Sequence, residues 1–192
     1  NGRVLIFDLG GGTFDITIAN VKGKKVNVIT SVGDKHLGGR RFDEEIINLI
    51  DKKYKKAKGK GLVKPLEDES LFTIAERIKK ILSNKDKASE IIEGPKGPQK
   101  IDISRNEFEN SIDTYIEKIK MLMEEALDSK DLKANNISQT LLVGGSTRMP
   151  IINKVITKIM KKAPVKGVNV DEAVACGACL LYTSDAADDT PC

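Results

Sequence analysis

The feature that most constrains this chain is a glycine-rich turn between two apolar segments near its start. Residues 4–18 read VLIFDLGGGTFDITI, so an apolar run ends at Asp8, three glycines follow, and apolar residues then alternate with polar ones. A continuous apolar run predicts a buried strand, and alternation predicts a strand with one buried face. The segment therefore predicts a hairpin with residues 10–13 in its turn and carboxylates at its flanks.

A turn of this composition suits a phosphate group. Glycines permit positive φ and let backbone N–H groups converge on an anion, and the hydroxyl of Thr13 adds a donor. Asp8 and Asp15 repel phosphate unless a divalent cation or its coordinated waters lie between them. An ordinary hairpin turn with solvated aspartates explains the same residues, because two central glycines already make a good turn. The segment contains neither G-x-x-x-x-G-K-[S/T] nor G-x-G-x-x-G.

Composition argues against several classes of protein. The 192 residues carry a formal net charge of +4 and 4% aromatic residues, with no tryptophan. This charge is too small to argue for nucleic acid, and the aromatic residues are too few for a base-stacking surface. No apolar run approaches the ~18 residues of a membrane span and no signal peptide is recognisable, so we expect no membrane partner. The odd number of cysteines, three, favours a reducing compartment such as the cytoplasm.

The periodicity of the rest of the chain predicts alternating strands and helices. The expected elements are a strand at about 26–32, helices at about 42–58, 69–83 and 104–128, two short strands between 88 and 103, a buried strand at 140–143 and a helix at about 149–161. Ser104 and Glu107 form a capping box at the start of the third helix.

The second of these helices carries a polar face opposite an unbroken apolar stripe. Four polar residues share that face: Glu76, Lys79, Lys80 and Ser83. Most such faces are merely solvated, and Glu76 with Lys80 makes a routine surface pair. A face with two cations, a carboxylate and a hydroxyl could also hold a ribose and a base.

A second phosphate-like turn follows the strand at 140–143, in the sequence LVGGSTRMP. It offers two glycines, two hydroxyls and a planar cation: Gly144, Gly145, Ser146, Thr147 and Arg148. Pro150 fits the first turn of the next helix, whose N-terminus directs positive partial charge toward the turn. An ordinary strand–helix turn with a Ser or Thr cap is the alternative.

Two glycine-rich turns with a polar helical face between them predict a nucleotide site. The segments DLGGGTFD, DKHLGGRRFD, AERIKKILS, LLVGGSTRMP and DEAVACGA occur in this order. They resemble the second lobe of the ATPase domain of seventy-kilodalton heat-shock chaperones, from about Gly2 to Leu180.

The resemblance implies an α/β chain with the actin-like ATPase fold, which has a ribonuclease-H-like core. Residues 1–42 and 129–182 are expected to form the core α/β subdomain of one lobe, and 43–128 an inserted, mainly helical subdomain. Residues 183–192, TSDAADDTPC, do not continue the family pattern, and we expect them to be a non-native tail.

The resemblance also implies roles for individual residues. Asp8, Thr13 and Asp15 are the implied catalytic residues, and Asp8 lies near magnesium, through water. The implied nucleotide-binding residues are Gly10, Gly11, Gly12, Thr13, Gly39, Glu76, Lys79, Lys80, Ser83, Gly144, Gly145, Ser146, Thr147, Arg148 and Asp171.

The implied function is that of an ATP-dependent chaperone, with ATP or ADP and magnesium as cofactors. The implied partners are nucleotide-exchange factors and J-domain co-chaperones, with client peptides reached only through a domain outside these 192 residues. The first lobe of the family's ATPase domain is also outside them, so we expect the chain to be inactive by itself. The alternative is a docking module for exchange factors that makes no use of nucleotide.

Three departures from the family pattern indicate a divergent member. Lys80 stands where an arginine is usual, and an ammonium lacks a flat face for stacking on a base. Arg40 and Arg41 replace two acids beside the cleft, and Val170 replaces a proline before Asp171.

Overall fold

The structure is a computed structural model, and it describes residues 2–23 and 25–165. Its strands are β1 (Gly2–Leu9), β2 (Phe14–Lys22), β3 (Lys25–Asp34), β4 (Lys87–Ile92), β5 (Gln99–Ser104) and β6 (Gln139–Val143). Its α-helices are α1 (Gly39–Lys58), α2 (Glu69–Asn84), α3 (Arg105–Ser111), α4 (Asp113–Asp128) and α5 (Pro150–Met160). Within the described residues, no helix is both long and apolar enough to cross a membrane.

A four-stranded sheet in the order β3-β2-β1-β6 carries both glycine-rich turns. The predicted hairpin is confirmed, because β1 and β2 pair antiparallel with Asp8 opposite Asp15. Strands β1 and β6 pair in parallel. Their carboxyl ends therefore lie at the same edge of the sheet, and each is followed by a glycine-rich turn.

A second group of elements packs α1 and α2 against the β4–β5 hairpin. Ile46, Ile50 and Tyr54 of α1 are fully buried. The Tyr54 hydroxyl donates a 2.9 Å hydrogen bond to the carbonyl oxygen of Gly97 and accepts one of 3.0 Å from the amide of Lys96. One aromatic side chain thereby fixes the hairpin turn on α1.

The single helix predicted over 104–128 is wrong, because the structure divides it into α3 and α4 at Ile112. The capping box at its start is present, with the Ser104 hydroxyl accepting from the amide of Glu107. Ile112 leaves helical geometry with φ −100° and ψ 8°. The Ser111 hydroxyl donates to the carbonyl of Phe108 at 2.8 Å, and such local side-chain bonds compete with the helical backbone pattern.

Helix α4 packs against β2, β3 and α5, on the four-stranded sheet. Helices α1 and α2 instead pack on each other and on the β4–β5 hairpin. The division into a core of 1–42 and 129–182 and an insertion of 43–128 stays a prediction.

Candidate functional site

One cleft of about 1300 Å³ lies where the sheet edge meets α1 and α2. Its walls come from four separate parts of the chain, namely the turn after β1, the start of α1, the polar face of α2 and the turn after β6. The lining residues are Gly11, Gly12, Gly39, Arg40, Asp43, Glu69, Phe72, Thr73, Glu76, Lys79, Lys80, Ser83, Asn84, Gly145, Ser146, Arg148 and Met149.

The turn after β1 is bound to both neighbouring walls through its carbonyl oxygens. The carbonyl of Gly10 accepts from the amide of Gly39 at 2.9 Å and from the Ser146 hydroxyl at 3.2 Å. The carbonyl of Gly11 accepts from the amide of Arg40 at 2.7 Å. These bonds satisfy amides that begin α1 and would otherwise lack helical partners. The two glycine-rich turns and the start of α1 therefore form one connected unit.

Gly38 and Gly144 at these junctions are required by the fold itself, because a Cβ would meet backbone atoms, and Gly39 is closely packed against side chains. A Cβ on Gly38 would lie 2.6 Å from the carbonyl carbon of Gly12, and one on Gly39 would lie 2.6 Å from the Ser146 hydroxyl. Gly144 combines φ +85° with 2.3 Å to the carbonyl oxygen of Leu9. Only a residue without a side chain allows such close approach.

Gly11 and Gly12 differ, because nothing among the described residues requires them to be glycine. The positive φ expected at the turn does not occur there, and a Cβ on either residue would meet no atom within 4 Å. Their amides make no hydrogen bond to the residues that the structure describes. Unpaired amides and a bare backbone facing a cleft are what an approaching phosphate group needs.

The two aspartates that flank the hairpin turn lie side by side on β1 and β2. Asp8 is half-buried and Asp15 is exposed. Burial raises the pKa of Asp8 above its ordinary 3.8, and the neighbouring Asp15 charge raises it further. A cation placed between these carboxylates relieves both effects.

These carboxylates fit magnesium better than a metal held in a protein cage. Among residues 2–23 and 25–165, no three His, Cys, Asp or Glu side chains converge on a common point. Magnesium keeps several of its waters and is commonly bound through one or two carboxylates together with substrate phosphates. Asp8 and Asp15 offer that number of carboxylates beside the open amides of the turn.

The polar face of α2 forms one wall of the cleft. Lys80 and Glu76 form the expected surface pair, with 3.0 Å between Nζ and Oε1, and this contact lowers the pKa of Glu76. The Ser83 hydroxyl donates to the carbonyl of Lys79 at 3.0 Å. Glu76, Lys80 and Ser83 line the cleft from three successive turns of the helix.

Lys79 does not fit the solvated alternative that the sequence left open for this face. It is 9% exposed, and its Nζ donates to Oδ2 of Asp43 at 2.8 Å and to the carbonyl of Gly39 at 3.0 Å. Burial raises the pKa of Asp43 despite the nearby ammonium. The pair joins α2 to α1 at the wall of the cleft.

Most of the residues implied by the resemblance lie around this cleft. Those that line it are Gly11, Gly12, Gly39, Glu76, Lys79, Lys80, Ser83, Gly145, Ser146 and Arg148. Those placed nearby, outside the lining, are Asp8, Gly10, Thr13, Asp15, Gly144 and Thr147. The Thr147 hydroxyl is turned inward, donating to the carbonyl of Gly144 at 2.7 Å. Asp171 lies outside the described residues, and all of these roles stay predictions.

The structure adds cleft residues that sequence reasoning missed. Those on α2 are Glu69, Phe72, Thr73 and Asn84. Helical spacing could have found the first three, since they continue the line of Glu76 by one and two turns toward the start of the helix. Asp43 and Met149 gave no such signal, because they depend on how the turns meet in three dimensions. Arg40, which the resemblance had placed beside the cleft, does line it.

A mixed sheet whose strand ends carry two glycine-rich turns, facing α1 and α2 across a polar cleft, is the arrangement of one lobe of the actin-like ATPase fold. The model of the Hsp70 protein family matches residues 1–183. The chain belongs to the Hsp70 family, and the resemblance found in its sequence is confirmed.

Two relatives show the extent of the similarity. The chain is 36% identical over 185 residues to "Chaperone protein DnaK" of Thermosipho africanus, which covers 93% of this chain and 31% of that protein. It is 35% identical over 187 residues to "Chaperone protein dnaK" of Thalassiosira pseudonana, covering 94% of this chain and 31% of that protein. The chain thus spans about a third of the length of these relatives. Family membership favours a nucleotide-binding role over a docking module that makes no use of nucleotide.

Proposed function

We propose that the cleft binds ATP and ADP with magnesium, and that the chain is the nucleotide-binding lobe of an ATP-dependent chaperone. The observation that carries this proposal is the single cleft shared by the two glycine-rich turns and the polar face of α2. No other part of the described chain combines open backbone amides, hydroxyls and cations around a volume that can hold a nucleotide.

Each wall has a proposed task. The amides of Gly11 and Gly12 bind phosphate oxygens. Ser146, in the second turn, lies on the same phosphate side of the nucleotide. Glu76 binds the ribose, while Lys80 and Arg148 lie on opposite sides of the base. The support is that α2 and the turn after β6 line the cleft from different walls.

The proposed chemistry belongs to the end of the hairpin. When bound, magnesium supplies positive charge that offsets the repulsion between phosphate and carboxylate. Asp8 would hold waters of that cation, and Thr13 and Asp15 would border the attacking water. Thr13 and Asp15 are exposed to solvent at the turn, and this exposure supports the assignment. Hydrolysis is proposed for the whole protein and not for this chain by itself. The chain spans about a third of the length of its relatives.

The remaining proposals concern the whole protein. Exchange factors and J-domain co-chaperones are its proposed protein partners, and client peptides bind a part outside this chain. The proposed compartment is the cytoplasm, because three cysteines in 192 residues do not make a disulfide framework.

Calorimetric titration with magnesium and ADP tests the adenine site. We expect Arg148→Ala and Lys80→Ala each to weaken binding about fivefold, since a contact between a cation and a ring is worth roughly 1 kcal/mol. Lys85→Ala is the matched control, because Lys85 is exposed at the end of α2 and does not line the cleft. Equal affinities in all four proteins would remove the proposed site.

A further inference from the structure

A second, smaller cavity of about 190 Å³ adjoins the glycine-rich turn. Gly11, Gly12 and Arg40 line both cavities, so the two are neighbours on either side of the same turn. The remaining walls of the small cavity are Lys35, His36, Gly38, Arg41 and Glu44. We call this cavity, with all eight of its lining residues, the basic pocket.

The basic pocket concentrates positive charge. Lys35, Arg40 and Arg41 contribute three cations, and Glu44 contributes one carboxylate. The formal charge of these lysine, arginine and glutamate side chains is therefore +2. Half of the charge of the whole chain, +4, is thus found around one small cavity.

Arg41 is held in place with part of its guanidinium unused. Its Nη1 donates to Oε2 of Glu44 at 2.8 Å, and its Nε donates to the carbonyl of His36 at 3.2 Å. Its Nη2 makes no hydrogen bond to the residues that the structure describes. A guanidinium has five N–H donors in a fixed plane. The remaining donors of Arg41 are therefore available to an acceptor in the pocket.

Arg40 is held in place by two residues of α2. Its guanidinium carbon lies 4.0 Å from the centre of the Phe72 ring, and its Nη2 donates to Oε1 of Glu69 at 3.3 Å. Stacking on an aromatic ring leaves the edge of the guanidinium open to hydrogen bonding. Arg40 thereby forms a charged partition between the cleft and the basic pocket.

We propose that the basic pocket binds a tetrahedral oxyanion of the phosphate class. Planar guanidinium groups match such oxygens with paired donors, and the open amides of Gly11 and Gly12 face the same space. A volume of 190 Å³ corresponds to the share of about six waters, which is room for a phosphate with part of its hydration. The anion is either free inorganic phosphate or the terminal phosphate of a nucleotide in the cleft, and only the second source rests on the proposed function.

Titration with inorganic phosphate tests the pocket without any nucleotide. The 192-residue chain is titrated at low ionic strength, with binding followed by calorimetry and by the ³¹P resonance of the ligand. We expect Lys35→Gln and Arg41→Gln each to weaken phosphate binding about fivefold, and the double variant to weaken it about 25-fold, since the two side chains contribute independently. Lys56→Gln is the control, because Lys56 is exposed near the opposite end of α1 and should leave phosphate binding unchanged.

Repeating the titration with saturating magnesium and a non-hydrolysable ATP analogue identifies the source of the anion, because ADP lacks the terminal phosphate of ATP and would leave its position empty. Phosphate that still binds beside the analogue indicates a separate site for the free ion. Phosphate that the analogue displaces, together with weaker binding of the analogue in Lys35→Gln and Arg41→Gln, indicates the terminal phosphate of the nucleotide. Thermal unfolding of each variant establishes that it folds.

The proposal is overturned if the wild type shows no saturable phosphate binding, or if Lys35→Gln, Arg41→Gln and Lys56→Gln bind phosphate equally. This failure is distinct from failure of the proposed function. Loss of the adenine site would appear as ADP binding that Arg148→Ala and Lys80→Ala leave unchanged, while phosphate binding to the basic pocket remained.

Discussion

At the scale of single residues, the glycines around the cleft divide into two kinds. Gly144 is fixed by its own backbone, with φ +85° and the carbonyl oxygen of Leu9 2.3 Å from where a Cβ would stand. Gly12 has room for a Cβ and no positive φ. Folding therefore explains the first glycine, while for the second we propose that an approaching ligand requires it.

Alanine at these two positions should separate folding from binding. We expect Gly144→Ala to lower the free energy of unfolding by at least about 1–3 kcal/mol, the cost of a strained backbone, to which the clash with β1 adds. We expect Gly12→Ala to leave the melting temperature unchanged while weakening ADP binding more than tenfold. Denaturant unfolding and calorimetry measure the two effects. A Gly12→Ala protein that binds ADP normally would contradict the assignment of this turn to phosphate.

The raised pKa of Asp8 predicts how stability depends on pH. Because its pKa is above 3.8 in the folded protein, the stability linked to its proton is fully present below pH 3.8 and is lost as pH rises through the raised value. Ionised Asp8 therefore destabilises the fold at neutral pH. We expect Asp8→Asn to raise the melting temperature at pH 7.5, by less than the ~2–4 °C that 1 kcal/mol produces in a domain of this size.

Melting curves at pH 7.5 and pH 4 check this prediction. The difference in melting temperature between Asp8→Asn and the wild type should become smaller at pH 4, since the wild-type carboxyl of Asp8 then takes up a proton. Asp15→Asn serves as a comparison, because it removes only the repulsive neighbour and should stabilise less. The same difference in melting temperature at pH 7.5 and at pH 4 would show that the charge of Asp8 does not cause the stabilisation.

At the scale of secondary-structure elements, the buried pair of Lys79 and Asp43 joins α2 to α1. Each side chain is 11% exposed, so neither charge is well solvated. The Oδ1 atom of Asp43 makes no hydrogen bond within the described chain, although Lys79 Nζ lies 2.8 Å from it. Losing the lysine would leave a carboxylate buried without its counter-charge.

Removing Lys79 alone should therefore be costly. We expect Lys79→Ala to lower the free energy of unfolding at pH 7 by about 3–5 kcal/mol, as for other buried pairs that lose one partner. The loss should shrink at low pH, where Asp43 is protonated. Replacing both residues, as Asp43→Leu with Lys79→Met, should recover most of the stability, since well-packed apolar residues often replace a buried pair without loss. Equal losses in the single and double variants would indicate that packing, and not charge, explains the effect.

The same pair shows what a sequence can reveal and what it cannot. Local patterns predicted the hairpin around residues 10–13, the capping box at Ser104 and the helical face of Glu76, because each depends on neighbours within a few positions. The burial of Lys79 depends on Asp43, which lies 36 positions away on another helix. The break at Ile112 and the stacking of Arg40 on Phe72 likewise arise from contacts that periodicity does not encode.

At the scale of the whole molecule, the cleft joins segments that are distant along the chain. Ser146 reaches the carbonyl of Gly10 across 136 positions, so the two turns are coupled without any ligand. The polar face of α2 stands across the cleft from them. A nucleotide that contacts both turns and the polar face of α2 must stabilise the four-stranded sheet together with α1 and α2.

Hydrogen exchange with and without magnesium and ADP tests this coupling. At a ligand concentration a hundredfold above the dissociation constant, binding adds about 2.7 kcal/mol to the free energy of unfolding. Thermal unfolding should show this as a rise in melting temperature of roughly 5–10 °C.

Hydrogen exchange at the same ligand concentration should be slower at the amides of residues 11–13 and 145–147, because one molecule contacts both turns. Lys85→Ala should reproduce the wild-type pattern, and Gly12→Ala should lose protection at both turns at once. Protection confined to one turn would mean that the ligand occupies only part of the cleft, and that the two turns do not act as a single phosphate site.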